Sequence, residues 1–282
     1  MTPRAWRRML PAMPAKPAKP AKRASAAKPA KRAPAAKAAR PGGAVPAATP
    51  VKLLKLSGEV LGGSDSVLDP AVVERVCAEI LAGAKAARVA IVVGGGNILR
   101  GGAVRHRSAD PTRGDYQGML ATHINALALQ DGIEALGGRA VVFGPHAIPN
   151  VCKAYDRNAA VAALADGQVV IFGGGTGHPF FTTDTTAALR AAEVGAGELL
   201  KASKVDGIYN ADPRKDETAT RFTFLTYDQA IAGRYGVMDM AAFALCRERA
   251  ISIRVFDMTR PGAITAALGP KPPGTLVGTT PL

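Results

Sequence analysis

The sequence predicts an α/β protein, a three-layer αβα sandwich around a mainly parallel sheet. Three observations lead there. From residue 51 onward, short apolar runs alternate with longer amphipathic ones, the pattern of βαβ units. The short runs are almost wholly apolar, as in strands covered on both faces. Each glycine-rich loop follows directly on such a run, where open α/β sheets carry their ligands.

The elements follow in order. Residues 51–56 form the first expected strand. A helix is expected over 70–87, with Asp69 as its N-cap and Pro70 at the first helical position, where the missing N–H costs nothing. A strand over 89–93 runs into Gly94-Gly95-Gly96. A long apolar-rich helix over 116–136 is stopped by Gly137-Gly138. A strand over 140–143, a short helix over 158–165 and a strand over 169–172 come next. Then follow a helix over 186–194, a strand over 198–202, helices over 227–232 and 238–249, and a strand over 253–256. There is no internal repeat.

Charge is spread unevenly. The formal net charge is +14, but residues 1–50 hold twelve Lys/Arg and no Asp/Glu, which leaves +2 for residues 51–282. The folded part is therefore nearly neutral, and total charge does not make it a nucleic-acid-binding core. Residues 1–50 repeat Ala-Lys-Pro, and proline with self-repelling charge predicts an extended, disordered tail. Such a tail is a solvated linker, or a start placed too far upstream, or a weak, salt-sensitive contact for a polyanion such as nucleic acid or an anionic membrane, with an organellar transit peptide as a weaker option. No apolar run approaches a membrane span, and no secretory segment is visible. Cys77, Cys152 and Cys246 are far apart and form no CxxC, which suits buried thiols in a reducing, cytoplasmic setting.

Four clusters lie at or just after expected strand ends. The first is Lys55-Leu56-Ser57-Gly58-Glu59. A lysine before a glycine turn holds phosphoryl oxygens as a point charge, or is simply a surface lysine. In the second, Gly94 to Gly96 followed by Arg100, successive backbone N–H groups would form an anion nest and Arg100 a bidentate phosphate contact. The third runs Gly173-Gly174-Gly175-Thr176-Gly177-His178-Pro179-Phe180-Phe181-Thr182-Thr183-Asp184. Its glycines admit a ligand to the backbone, and the following helix offers its N-terminus to a phosphate. Asp184 is either an orienting carboxylate or that helix's N-cap. The fourth includes Lys201, Ser203, Tyr209 and Asp212, where the tyrosine would stack on a purine and the aspartate bind a ribose. Its Asp-Gly and Asp-Pro steps are equally ordinary turn chemistry. Walker A, nucleophile-elbow, zincin, protein-kinase and Rossmann patterns are all missing.

Taken together, KLSGE (55–59), GGGNILRG (94–101), GDYQGMLATHINALALQD (114–131), GTGHPFFTTDT (175–185), LLKASKVDGIYNADP (199–213) and VMDMAAFALCR (237–247) resemble the amino-acid-kinase superfamily, and within it the bacterial uridylate kinases. The resemblance covers about residues 51–280. It implies transfer of the γ-phosphoryl of Mg-ATP to UMP, a step of pyrimidine nucleotide synthesis, with Mg²⁺ entering with ATP. By match, Lys55, Leu56, Ser57, Gly58, Gly96, Arg100, Ser203, Tyr209 and Asp212 would bind ATP. Gly95, Asp115, Thr176, Gly177, His178, Pro179, Phe180, Phe181, Thr182 and Thr183 would bind UMP. Lys55, Arg100, Asp184, Lys201 and Asp239 would be catalytic, the two carboxylates orienting the lysine and metal; no protein-ligated metal site is implied. About 51–195 would form the UMP-binding part and about 196–282 the ATP-binding part of one domain, 51–282. The resemblance also implies a homohexamer under allosteric control. His178 stands where the family usually has Asn, and Ser203 where it has Thr.

Overall fold

The computed structural model describes residues 48–63, 66–99, 110–213, 215–233, 235–236 and 238–280. The expected tail, residues 1–50, falls outside these apart from 48–50.

Nine strands and seven α-helices are found among the described residues. In chain order they are β1 (Val51–Leu56), α1 (Pro70–Gly83), β2 (Arg88–Val93), α2 (Pro111–Ala135), β3 (Ala140–Gly144), β4 (Lys153–Ala154), α3 (Arg157–Ala165) and β5 (Val169–Phe172). There follow α4 (Thr183–Val194), β6 (Glu198–Ser203), β7 (Phe224–Thr226), α5 (Tyr227–Ala232), α6 (Met240–Glu248), β8 (Ser252–Asp257), α7 (Ala263–Leu268) and β9 (Thr275–Gly278). The strands form one sheet in the order β4-β3-β5-β2-β1-β6-β8-β9-β7. All pairs are parallel except β8 with β9. The architecture is the expected αβα sandwich.

Alternation along the strands builds two cores. Val51 and Leu53 of β1 pack with Ala187, Ala188 and Ala191 of α4 and Phe243 of α6 on one face. Leu54 and Leu56 pack with Val76 and Ile80 of α1 and Leu129 and Ile133 of α2 on the other. The β1 run is buried at every position, which is why an apolar segment sits at the centre of the sheet. Cys77 and Cys246 are buried in these cores, and burial pushes each thiol up to about 12, whereas Cys152 is only half-buried.

Local chemistry sets the helix ends. Asp69 caps α1 by accepting from the Ala71 and Val72 N–H groups, as expected. The helix stops at Gly83, four residues short of the expected end, because Ala86 and Ala87 donate back to the Gly83 carbonyl in a tight turn into β2. Helix α2 starts at Pro111, five residues before the expected start. Asp110 caps it through the Thr112 N–H, and Pro111 occupies its first turn. Its early residues include Gly114 and Asp115, which hid the helical pattern. Four short elements, β4, β7, α7 and β9, were not expected at all.

Candidate active site

The site lies at the carboxyl end of the central strands. Lys55 and Lys201 are in-register neighbours on β1 and β6. Alternation puts both on the sheet face covered by α4, the face to which Val51 and Leu53 belong. Asp184 lies in the first turn of α4. The N-cap itself is Thr182, whose hydroxyl accepts from the Asp184 and Thr185 N–H groups. Asp184 is thereby released from the capping role the sequence allowed it, and its carboxylate reaches the sheet. Oδ1 stands 2.9 Å from Lys55 Nζ, an ion pair without aligned hydrogen-bond geometry. Oδ2 accepts from Lys201 Nζ at 2.6 Å.

The three side chains are only 11, 17 and 14 % exposed, so the charges are weakly screened. Burial alone would raise the Asp184 carboxyl, but the two ammonium groups beside it hold it below the usual carboxylate range. Burial pulls Lys201 below the usual lysine range; Asp184 opposes this and Lys55 adds to it. Asp239 sits one step further out. It caps α6 through the Ala242 N–H and accepts from the hydroxyls of Thr182 and Thr185. This carboxylate therefore holds the N-terminal turn of α4, and with it Asp184.

Two cavities flank the lysine pair. A glycine-lined cavity of about 360 Å³ is bounded by Lys55, Ser57, Gly58, Gly94, Gly95, Gly96, Leu99, Gly114, Asp115, Gly118, Met119, Thr122, Gly175, Phe181, Thr182 and Thr183. Close approach explains Gly58: a Cβ there would stand 2.5 Å from both Asn97 Oδ1 and the Gly94 carbonyl. Asp115 Oδ2 accepts from the Phe180 N–H at 2.8 Å. Phe180 holds a left-handed backbone, φ 72°, which is unfavourable for a bulky residue, and its ring is exposed.

A larger tyrosine-lined cavity, about 570 Å³, is bounded by Lys201, Ser203, Val205, Gly207, Ile208, Tyr209, Asn210, Ala211, Asp212, Pro213, Gly233, Tyr235, Gly236 and Val255. The Tyr209 hydroxyl donates to Asp206 Oδ1 at 2.7 Å, which raises the phenol above its usual range. Arg221 in turn grips Asp206 through its carbonyl and Oδ2, at 2.9 and 3.2 Å. One lysine of the pair thus lines each cavity.

A model of the amino acid kinase family matches residues 50–257. The chain belongs to the amino acid kinase family. Similar curated relatives include the uridylate kinases of Bradyrhizobium sp. strain BTAi1 and Xanthomonas euvesicatoria pv. vesicatoria strain 85-10. Each is 49 % identical over 227 residues, which are 80 % of this chain and 95 % of the relative. Among solved structures the chain is similar to UMP kinase from Ureaplasma parvum, with a TM-score of 0.78, 34 % identity, and coverage of 82 % of this chain and 99 % of that one.

Against the residues expected from the family, the structure brings Lys55, Lys201 and Asp184 into direct contact. Arg100 lies outside the described residues. Ser57, Gly58 and Gly96, expected on the ATP side, line the same cavity as Gly95 and Asp115, expected on the UMP side. Leu56 is fully buried in the core, so a ligand contact from this position runs through its backbone. Ser203, Tyr209 and Asp212 line the other cavity together, as grouped. Phe181, Thr182 and Thr183 reach the glycine-lined cavity, whereas Thr176, Gly177, His178, Pro179 and Phe180 are not on its wall. Thr176 closes a small turn with His178, and Gly177 borders a separate apolar cavity of about 260 Å³ beside Pro145.

Sequence reasoning missed Thr122, Asn125 and Asn97. The Thr122 hydroxyl accepts from the Gly174 N–H at 2.6 Å, and Asn125 donates to the Gly94 carbonyl at 2.6 Å while pairing with Asn97. Two polar residues three apart within an apolar helix were the available signal. As for a metal, no group of three or more His, Cys, Asp or Glu is placed to hold one among the described residues. Asp184 is engaged by two lysines and Asp239 by two threonines.

Proposed function

We propose that the protein transfers the γ-phosphoryl group of Mg-ATP to UMP, giving UDP. One observation carries the reading: Asp184 holds Lys55 and Lys201 side by side, with one lysine on the wall of each cavity. Phosphoryl transfer asks a protein for positioning and for neutralisation of the charge on the equatorial oxygens, with little covalent chemistry. Two adjacent ammonium groups at the N-terminal turn of α4 supply that charge, and Asp184 keeps them from splaying apart. Together with Mg²⁺ arriving on the ATP, they are asked for on the order of ten kcal/mol of barrier lowering. The similarity to uridylate kinases along almost their whole length supports UMP as the acceptor.

In this reading the glycine-lined cavity takes UMP, with Asp115 on the ribose, and residues 51–195 form the acceptor half. The tyrosine-lined cavity takes ATP, with Tyr209 on the purine and Asp212 on the ribose, and residues 196–282 form the donor half. Ser57, Gly58 and Gly96 then stand where the two phosphate chains meet, which reconciles their place beside Gly95. Self-association, expected from the resemblance as a homohexamer under allosteric control, has a candidate contact surface in Tyr116, Leu120 and Ile124, an exposed apolar row at helical spacing on α2. Residues 1–50, with twelve cationic side chains, add a weak contact for a polyanion. No helix among the described residues is long and apolar enough to cross a membrane; action in the cytoplasm is part of the proposal.

ADP formation measured in parallel with UMP, CMP, glutamate and carbamate tests the reading. UMP should be turned over far faster than the others. Preference for a carboxylate or carbamate would assign the chain to another branch of the same family.

A further inference from the structure

We infer that α2 aligns the acceptor cavity, with Thr122 and Asn125 as its positioning residues. The inference rests on the UMP-kinase reading and deepens it. Asp115, Thr122 and Asn125 stand seven and three residues apart, so all lie on one face of the helix. Asp115 and Thr122 tie down two points of the loop that leaves β5, and Asn125 ties down the loop that leaves β2. Asp115 accepts from the Phe180 N–H. Thr122 accepts from the Gly174 N–H at the end of β5. Asn125 donates to the Gly94 carbonyl at the end of β2 and to Asn97 Oδ1, and Asn97 donates onward to the Val67 carbonyl.

The first strand is drawn in by close approach. A Cβ at Gly58 would meet Asn97 Oδ1 at 2.5 Å and Asn125 Nδ2 at 2.8 Å. The loops after β1, β2 and β5 are thus all set against one helix face.

The fold itself does not call for these polar groups. Helix α2 packs through Ala126, Leu129 and Ile133, all fully buried. Thr122 is 3 % exposed and Asn125 0 %, so each is a desolvated polar side chain, tolerable only when bonded. Thr122 donates to the Met119 carbonyl of its own helix and Asn125 pairs with Asn97, and beyond these each bonds the glycine backbone beside the cavity. Because the peptide plane is rigid, holding the Gly94 carbonyl toward Asn125 turns the Gly95 N–H the opposite way. The helix thereby sets which backbone donors a nucleotide meets, although neither side chain belongs to the expected ligand contacts.

Thr122→Val keeps the shape and removes the hydroxyl, and Thr122→Ser returns it. Initial rates with UMP and ATP varied separately, alongside thermal melts, test the inference. Thr122→Val should raise KM for UMP about tenfold, the worth of one buried hydrogen bond. KM for ATP should stay within about twofold, and Thr122→Ser should restore the UMP value. Asn125→Leu should lower kcat as well, because the Gly94 and Gly58 loops shift together; Asn97→Ala serves where that variant does not fold. An unchanged UMP KM in Thr122→Val overturns the inference. So does a loss shared equally by both substrates and not rescued by serine, since that is a structural effect alone. Wild-type protein that makes no UDP sinks the underlying functional reading instead, so the two failures are told apart.

Discussion

The two cavities are walled in different ways. In the glycine-lined cavity, the side-chain ties that set the wall span long stretches of chain: 28 residues from Asn97 to Asn125, 52 from Thr122 to Gly174 and 65 from Asp115 to Phe180. In the tyrosine-lined cavity they are mostly local, 3 residues from Asp206 to Tyr209, 10 from Asn210 to Thr220 and 15 from Asp206 to Arg221. The exception is Thr275, whose hydroxyl accepts from the Ile208 N–H at 2.9 Å and anchors the loop's base to β9. A wall held by long-range bonds inside the core is shaped when the domain folds. A wall held by bonds within one surface loop opens and closes at little cost to the rest. On the proposed assignment, the acceptor cavity would be preorganised and the donor cavity would be the one to adapt to its nucleotide.

The largest effect should fall on the seam between the cavities. Asp184→Asn removes the carboxylate that the buried Lys55 and Lys201 share and leaves two ammonium groups side by side, and urea denaturation should show about 3–5 kcal/mol lost. A stability within about 1 kcal/mol of wild type would mean that the lysines are far better solvated than their burial implies. Next comes Lys55→Ala. It should cut kcat by about a thousandfold, in line with the loss of one strong transition-state donor, while calorimetric UMP affinity changes little. Undiminished turnover would remove Lys55 from the chemistry.

A crossed pair of variants sharpens the comparison. Asp115→Ala should raise KM for UMP by about one to two orders of magnitude and leave KM for ATP alone. Tyr209→Ala should do the reverse, raising KM for ATP about tenfold through loss of base stacking. If the two effects exchange substrates, the cavities have been assigned the wrong way round. The smallest expected effect is on the pH profile. Because burial lowers Lys201, its ammonium loses the proton as pH rises before the ordinary lysine range is reached, and kcat should fall there. Lys201→Arg should move that fall upward, since a guanidinium stays charged.

The sequence carried six strands of the sheet well, and β4, β7, β9 and the couplings poorly. Strands β1 and β5 were bounded to the residue, because both are continuous buried apolar runs between clear breaks. The start of α2 was hidden by Gly114 and by polar residues whose partners lie in other loops. Strand β9 is four residues long and lies just after Pro272-Pro273-Gly274, too short and too near a turn to show a period. Lys55, Lys201 and Asp184 were each visible as candidates. Their clasp was not, because Asp184 lies 129 residues from Lys55 and only the in-register pairing of β1 with β6 brings the lysines together. Thr122 and Asn125 drew no expectation from the sequence, since a buried hydrogen bond is defined by a partner that spacing cannot reveal.

A structure of the protein with UMP and a non-hydrolysable ATP analogue bound together tests the central claim most directly. The expected density puts uridine between Gly95 and Asp115, adenine beside Tyr209, and both phosphate ends within reach of the Lys55–Asp184–Lys201 clasp. Adenine found in the glycine-lined cavity, or phosphates remote from both lysines, would contradict it.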